Sequence, residues 1–270
     1  MTIDELCKMF PDEKPGNWKV LPSGALVHKN AKIEKPEHIH GGVVFGDAVL
    51  SDDAQVSGNA WVLGHARVSG NAQVFGDAVV SGNARVFGDA RVSDDAQVLG
   101  HARVSGNAQV FGDAWVLGHA RVSGNAQVFG DAVVSGNAQV FGDARVFGDA
   151  QVFGDARVSG NAWVSDDAQV SSDAWVSSDA WVSGDAWRIP PLYICGTVHG
   201  ITVGRFGYIQ IGCKIHTFAE WKKNVVKIAK EHGYTDLQAQ EYKLHVDHCI
   251  AWAELHGAVI KPTKQRKAKK

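Results

Sequence analysis

The sequence predicts a mainly β fold: a triangular prism of short parallel strands, about eight to nine coils long, followed by a small α+β domain. Three observations carry this. An alanine falls on every sixth residue from Ala48 to Ala186 without a gap, 24 in all. A period of six fits neither the 3.6 of a helix nor the seven of a coiled coil. Each Ala-x-Val tripeptide alternates, so Ala and Val share one face and x takes the other. The tripeptides are joined by Gly-Asp, Gly-Asn and Gly-His pairs. Glycine accepts positive φ freely, and Asn, Asp and His tolerate it best among residues with a side chain, so these pairs are corners. Three hexapeptides close one coil of 18 residues, and coils then pair as parallel strands about 4.8 Å apart.

The elements follow in order. Residues 1–21 are expected to cap the open end, with a short helix over Ile3–Met9, because an uncapped coil exposes a sheet edge. The array is expected over 22–188, with a degenerate start in Ala25-Leu26-Val27 and Ala31-Lys32-Ile33. The step of six holds from Ile33 to Ile39 and slips by one at Val44, which predicts an irregular ninth coil. The array ends at Trp187, where Arg188 replaces valine and Ile189-Pro190-Pro191 cannot extend a ladder. Residues 192–258 are expected to form an α+β domain that oligomerises the chain or docks a target. Its strands lie in Tyr193–Val198, Ile201–Val203 and Tyr208–Ile211. Thr217 with Glu220 forms a capping box for a helix over Ala219–Glu231, and Asp236 opens a second helix running to residue 256. The tail, 259–270, carries six basic residues and is expected to be disordered.

Over residues 44–187 the array resembles the hexapeptide-repeat, left-handed parallel β-helix family, in which an aliphatic residue is followed four positions later by a small one. The resemblance implies the left hand, against the usual crossover rule. It also implies trimers as a common assembly, and acyltransfer assisted by a histidine as an activity of many members. The segment Ile209-Gln210-Ile211-Gly212-Cys213-x-x-His216-x-x-x-Glu220-Trp221 is similar to a module of uncharacterised bacteriophage and prophage proteins, which implies a phage-encoded chain.

Charge is divided along the chain. Residues 41–187 hold 17 Asp and 7 Arg with no Glu or Lys, a net −10, whereas residues 188–270 hold 14 basic and 6 acidic residues, a net +8. Such an asymmetry speaks about partners rather than fold. The longest apolar runs fall short of a spanning helix, and the start MTIDELCKMF lacks the layout of a secretory leader. Cys7, Cys195, Cys213 and Cys249 have no framework spacing and are expected to be reduced thiols. The expected location is the cytoplasm, that of the host cell if the chain is phage-encoded.

With 18 residues per coil, outward positions sort into columns. One contains Arg67, Arg85, Arg103 and Arg121, which either pair with corner carboxylates or meet an anionic partner. One corner reads Asp77, Asp95, Asp113, Asp131, Asp149, Asp167 and Asp185. Either aspartate merely suits the corner backbone, or the line is a recognition ridge for a basic protein surface or for cations. Phe111, Phe129 and Phe147 form a further stack, read as edge packing. Trp163, Trp175, Trp181 and Trp187 make an apolar collar on the last coils, and Trp61 and Trp115 an apolar seam. The collar is expected to be covered by the C-terminal domain or by other copies, and the seam to serve self-association, with a trimer favoured and a dimer possible.

Three further readings concern chemistry. His101 and His119 are the candidate bases if the chain is an acyltransferase using an acyl-thioester donor; an array without an interrupting loop offers them no pocket. Cys213, His216, His245 and Cys249 are an alternative zinc set whose spacing is not that of a zinc motif. No cofactor is expected, no metal is assigned, and nucleic acid is expected only through the basic tail. The leading functional expectation is a non-enzymatic interaction protein, a rigid acidic rod that inhibits or decoys a host defence factor. The alternatives are the acyltransferase and a virion structural part.

Overall fold

A computed structural model describes residues 1–171, 174–177, 180–183, 192–205 and 207–256. Asp173, Asp185, Trp187, the Pro190-Pro191 break and the basic tail lie outside the described residues.

The hexapeptide array is a parallel β-solenoid. One face is a nine-stranded parallel sheet running from Lys32–Ile33 to Trp175–Val176. The other two faces form one 17-stranded sheet, which includes two long strands, Ile39–Val44 and Gln55–Val62. Pairing steps by 18 residues, as in Arg85↔Arg103 and Val86↔Val104. Where the sequence slips between Ile39 and Val44, the pairing shifts register between Gly41 and Val43. The extra room is absent at Gly42, whose Cβ would stand 2.2 Å from the carbonyl oxygen of Ala60.

Inside the prism, alanine and valine stack on their own kind. From Val56 to Val164 each valine of the repeat is 0% exposed, and the alanines from Ala60 to Ala168 likewise. One methyl and one isopropyl group per hexapeptide fill a narrow triangular section at interior density. Backbone hydrogen bonds join the coils, for example Gln109 N–H to Ala126 at 2.9 Å and Asn107 N–H to Gly124 at 2.8 Å.

The chain folds back on both ends of the array, fully at neither. At the start, helix α1 (Ile3–Met9) is closed by a capping box between Thr2 and Glu5. Leu6, Trp18, Leu26 and Val43 form a second small core, against which Phe10, Phe45 and Trp61 pack. Strand Trp18–Val20 pairs antiparallel with Leu26–His28, so the first coil's edge is not free. At the other end, Ser183 N–H donates to the Gly204 carbonyl at 3.0 Å. Strand Gly200–Arg205 sits so close there that a Cβ on Gly204 would lie 1.8 Å from the Trp181 carbonyl oxygen.

The C-terminal domain has four antiparallel strands, Leu192–Cys195, Gly200–Arg205, Tyr208–Ile211 and Lys214–Thr217, in sequential order. The fourth was not expected from the sequence; Lys-Ile-His-Thr alternates only weakly, and Ile215 is 38% exposed. Helices α2 (Phe218–Glu231) and α3 (Asp236–His256) pack on this sheet and on each other. Thr217 and Glu220 form the expected capping box. The start of α3 is held by Thr235 rather than Asp236: its hydroxyl accepts from Gln238 N–H at 3.2 Å, while the Gln238 carboxamide accepts from Thr235 N–H at 2.9 Å. Asp236 instead pairs with Lys230 at 2.9 Å. Among the described residues no helix is long and apolar enough to cross a membrane.

Candidate interaction surface

Because the strands pair in register, each outward column of the sequence becomes a row in space. Gln97, Trp115, Val133, Gln151 and Gln169 are successive partners, and each lies two residues after an aspartate. Asp77, Asp95, Asp113, Asp131, Asp149 and Asp167 therefore form one exposed line along a corner, at about the strand spacing of 4.8 Å.

The three corners differ in how their carboxylates are served. At the corner containing Asp89 and Asp143, Asn71 donates to Asp89 at 2.8 Å and Asn125 to Asp143 at 2.9 Å, and Asn107 donates to Asn125 at 3.0 Å. At the corner of the histidines, Asn137 donates to Asp155 at 3.0 Å, and His65 stands 3.6 Å from Asp47. At the acidic corner, among the described residues, only Asp77 has a side-chain donor, Asn59 at 3.0 Å. Among the described residues, Asp95, Asp113, Asp131, Asp149 and Asp167 accept no side-chain hydrogen bond and form no ion pair. Like charges this close repel, and no neighbouring amide offsets it.

Beside this line runs an aromatic one. Phe111, Phe129 and Phe147 each precede a ridge aspartate by two residues, and they stack at centroid distances of 4.9 and 5.0 Å with planes within 3° of parallel. Phe147 meets Trp163 edge-on at 6.0 Å, and Arg145 lies over the Trp163 ring at 5.2 Å. The placement of the phenylalanines next to the ridge is a feature that reading them as edge packing missed. The signal was available in the Phe-Gly-Asp spacing. Two more carboxylates, Asp94 and Asp166, occupy the corner's glycine position with φ of 58° and 55°. Asp94 accepts Gly112 N–H of the next coil at 3.1 Å.

The other sequence candidates are placed as follows. Arg67, Arg85, Arg103 and Arg121 are consecutive in register. Among the described residues none of them pairs with a carboxylate. Trp163, Trp175 and Trp115 are 39%, 61% and 42% exposed. Trp181 is half-buried, and its indole donates to Ser165 at 3.2 Å. The C-terminal domain thus seats on Trp181 and leaves Trp163 and Trp175 open. Trp61 has a partner within the chain, Phe10 at 6.4 Å.

His101 and His119 stack at 4.8 Å with planes 4° apart, on an exposed corner. Cys213, His216, His245 and Cys249 are not brought together as ligands. His216 lies edge-on to Trp221 at 5.0 Å, and His245 stands 3.3 Å from Glu241. Cys249 is fully buried, which pushes its thiol up to about 12. Among the described residues no group of three or more His, Cys, Asp or Glu side chains is placed to hold a metal ion.

Comparison with known proteins agrees on the class: the array is a β-solenoid of hexapeptide repeats. The family model described as the YdcK beta solenoid repeat matches residues 66–82, 84–100, 120–136, 138–152 and 150–166. Similar solved structures include a UDP-N-acetylglucosamine acyltransferase from Campylobacter jejuni, at 14% identity and a TM-score of 0.30, covering 74% of this chain and 94% of that one. Another is the UDP-N-acetylglucosamine acyltransferase of Francisella novicida, at 13% identity and a TM-score of 0.25, covering 87% and 86%. No curated protein sequence matches the chain.

Proposed function

We propose that this protein is a non-catalytic binding scaffold whose acidic corner, Asp77 to Asp167, engages a lysine- and arginine-rich surface of a protein partner. The observation that carries this reading is the difference between the corners. Asparagines donate to Asp89 and Asp143 at one corner and to Asp155 at the histidine corner, whereas the carboxylates from Asp95 to Asp167 at the third stand unserved beside stacked phenyl rings. Such a surface suits cationic side chains twice over. The carboxylates attract the charged head, and the rings take the aliphatic stem or the guanidinium face. A rigid prism holds the row at fixed pitch, so little ordering is needed on binding. The finer form of this reading, a phage-encoded decoy of a host defence factor, adds the identity of the partner. The exposed Trp115, Trp163 and Trp175 are assigned to self-association, with a trimer first.

The test uses a fluorescent decalysine peptide and anisotropy at two salt concentrations. Asp113/Asp131/Asp149→Asn is compared with Asp89/Asp143/Asp155→Asn, which removes the same charge from the mixed corners. Asparagine already stands at equivalent corners, so both variants retain the fold. The ridge variant is expected to lose about tenfold in affinity and the control about twofold or less. Equal losses would reduce the effect to net charge and remove the ridge from the mechanism.

A further inference from the structure

The C-terminal domain carries an open cavity of about 380 Å³, within the range of small-molecule sites. Its apolar wall includes Ile211, Trp221, Val225 and Tyr234. Its polar lining includes Lys214, His199, His232 and Cys213, and no aspartate or glutamate. Among the described residues, the Lys214 ammonium and the His199 and His232 rings have no hydrogen-bond or ion-pair partner. The acids nearby in sequence are engaged elsewhere: Glu231 with Lys227 at 3.8 Å, Asp236 with Lys230 at 2.9 Å, and Glu241 with His245 and the Thr197 N–H.

The walls are preset. The Tyr242 hydroxyl accepts the N–H groups of Val198 and His199 and donates to the His199 carbonyl at 2.6 Å. Glu241 accepts both the N–H and the hydroxyl of Thr197. The Trp221 indole donates to the Ile209 carbonyl at 2.7 Å. Burial, with Tyr242 beside it, pushes the Tyr234 hydroxyl up to about 12.

We propose that this cavity binds a small planar aromatic carboxylate, its ring against the apolar wall and its carboxylate taken by Lys214 with His199 and His232. The half-buried Tyr234 ring offers the flat apolar surface that favours a planar ring. Three nitrogen-bearing side chains, with no carboxylate among the lining residues, favour an anion over a cation. This site is separate from the acidic corner and does not depend on its role.

Cys213 supplies the reporter, because it lines the cavity and is exposed, while Cys195 is exposed and does not line it. Iodoacetamide labelling of the full chain, read cysteine by cysteine by mass spectrometry, is run with 2-naphthoate or its neutral analogue 2-naphthalenemethanol. At about 1 mM, naphthoate is expected to slow Cys213 labelling roughly fivefold and leave Cys195 unchanged, with the alcohol having little effect. Lys214→Met, at an exposed position, should keep the melting temperature and lose most of the protection. Absence of Cys213 protection by naphthoate, or equal protection by the alcohol, would overturn the proposal. So would full protection persisting in Lys214→Met.

Discussion

Replacing Gly124 by alanine and, separately, by aspartate should produce an order of stability opposite to side-chain size. Gly124 sits at φ +72°, and a Cβ there would lie 2.9 Å from the backbone nitrogen of Gly142 in the next coil. Alanine meets two penalties: about 1–2 kcal/mol for the left-handed conformation, and about 1–3 kcal/mol for forcing packed backbones apart. Aspartate places the same Cβ but tolerates the conformation better. It also gains a hydrogen bond, for which the molecule supplies a template. Asp52 and Asp94 occupy the equivalent position at φ 59° and 58°. Their carboxylates accept Gly70 N–H at 3.0 Å and Gly112 N–H at 3.1 Å from the next coil. A charge-assisted bond at an exposed corner is worth about 1 kcal/mol. Gly124→Asp should therefore be about 1–2 kcal/mol less destabilising than Gly124→Ala, roughly tenfold in the opening equilibrium. Solenoid coils couple mainly to their neighbours and open locally, so hydrogen exchange is the assay. The amides to follow are Asn125 and Gln127, which bond Gly142 at 2.8 Å and Ala144 at 2.9 Å. Exchange at these amides in Gly124→Asp equal to or faster than in Gly124→Ala would refute this account of the corners.

Three further predictions concern the ends of the molecule. Tyr242→Phe removes a hydroxyl that serves Val198 and His199 from a site only 1% exposed. It should cost the C-terminal domain about 1–3 kcal/mol, seen as a lower melting transition with the solenoid's own transition unmoved. Burial holds the Cys249 thiol up to about 12, so at pH 8 it should resist alkylation until denaturant is added, while Cys195 and Cys213 react at once. Glu13 is held below the usual carboxylate range mainly by the hydrogen bond from Asn17, with His28 assisting, and Glu241 mainly by that from Thr197. A depressed folded-state pKa gives stability that is present above the ordinary value, about 4.3, and lost as pH falls through the lower folded value. Melting temperatures recorded from pH 7 down to pH 2 should fall below about pH 4, and Glu13→Gln and Glu241→Gln together should flatten that fall.

The acidic corner shows how far a regular repeat can be read. Its column of aspartates follows from counting by 18, and the strand pairing Gln97↔Trp115↔Val133 places them as counted. What counting could not supply was which neighbours serve those carboxylates. Asparagines at the other corners donate along the stack, and that depends on side-chain rotamers. The four arginines illustrate the same limit: consecutive in register, they pair with no corner carboxylate among the described residues.

The sequence by itself determined the coil. A six-residue period with Ala and Val on one face admits only one economical way to bury both, and each coil contacts only its neighbours, so local pattern and global shape coincide. It also determined the capping box at Thr217 and the register slip near Gly41, which are local events. Only the tertiary structure decided the rest. The partner of Trp61, the seating of Gly204 on Trp181, and the cavity between His199, Lys214 and His232 join residues far apart in the chain. Such contacts are set by how separate elements pack, and no periodicity within any one of them records it.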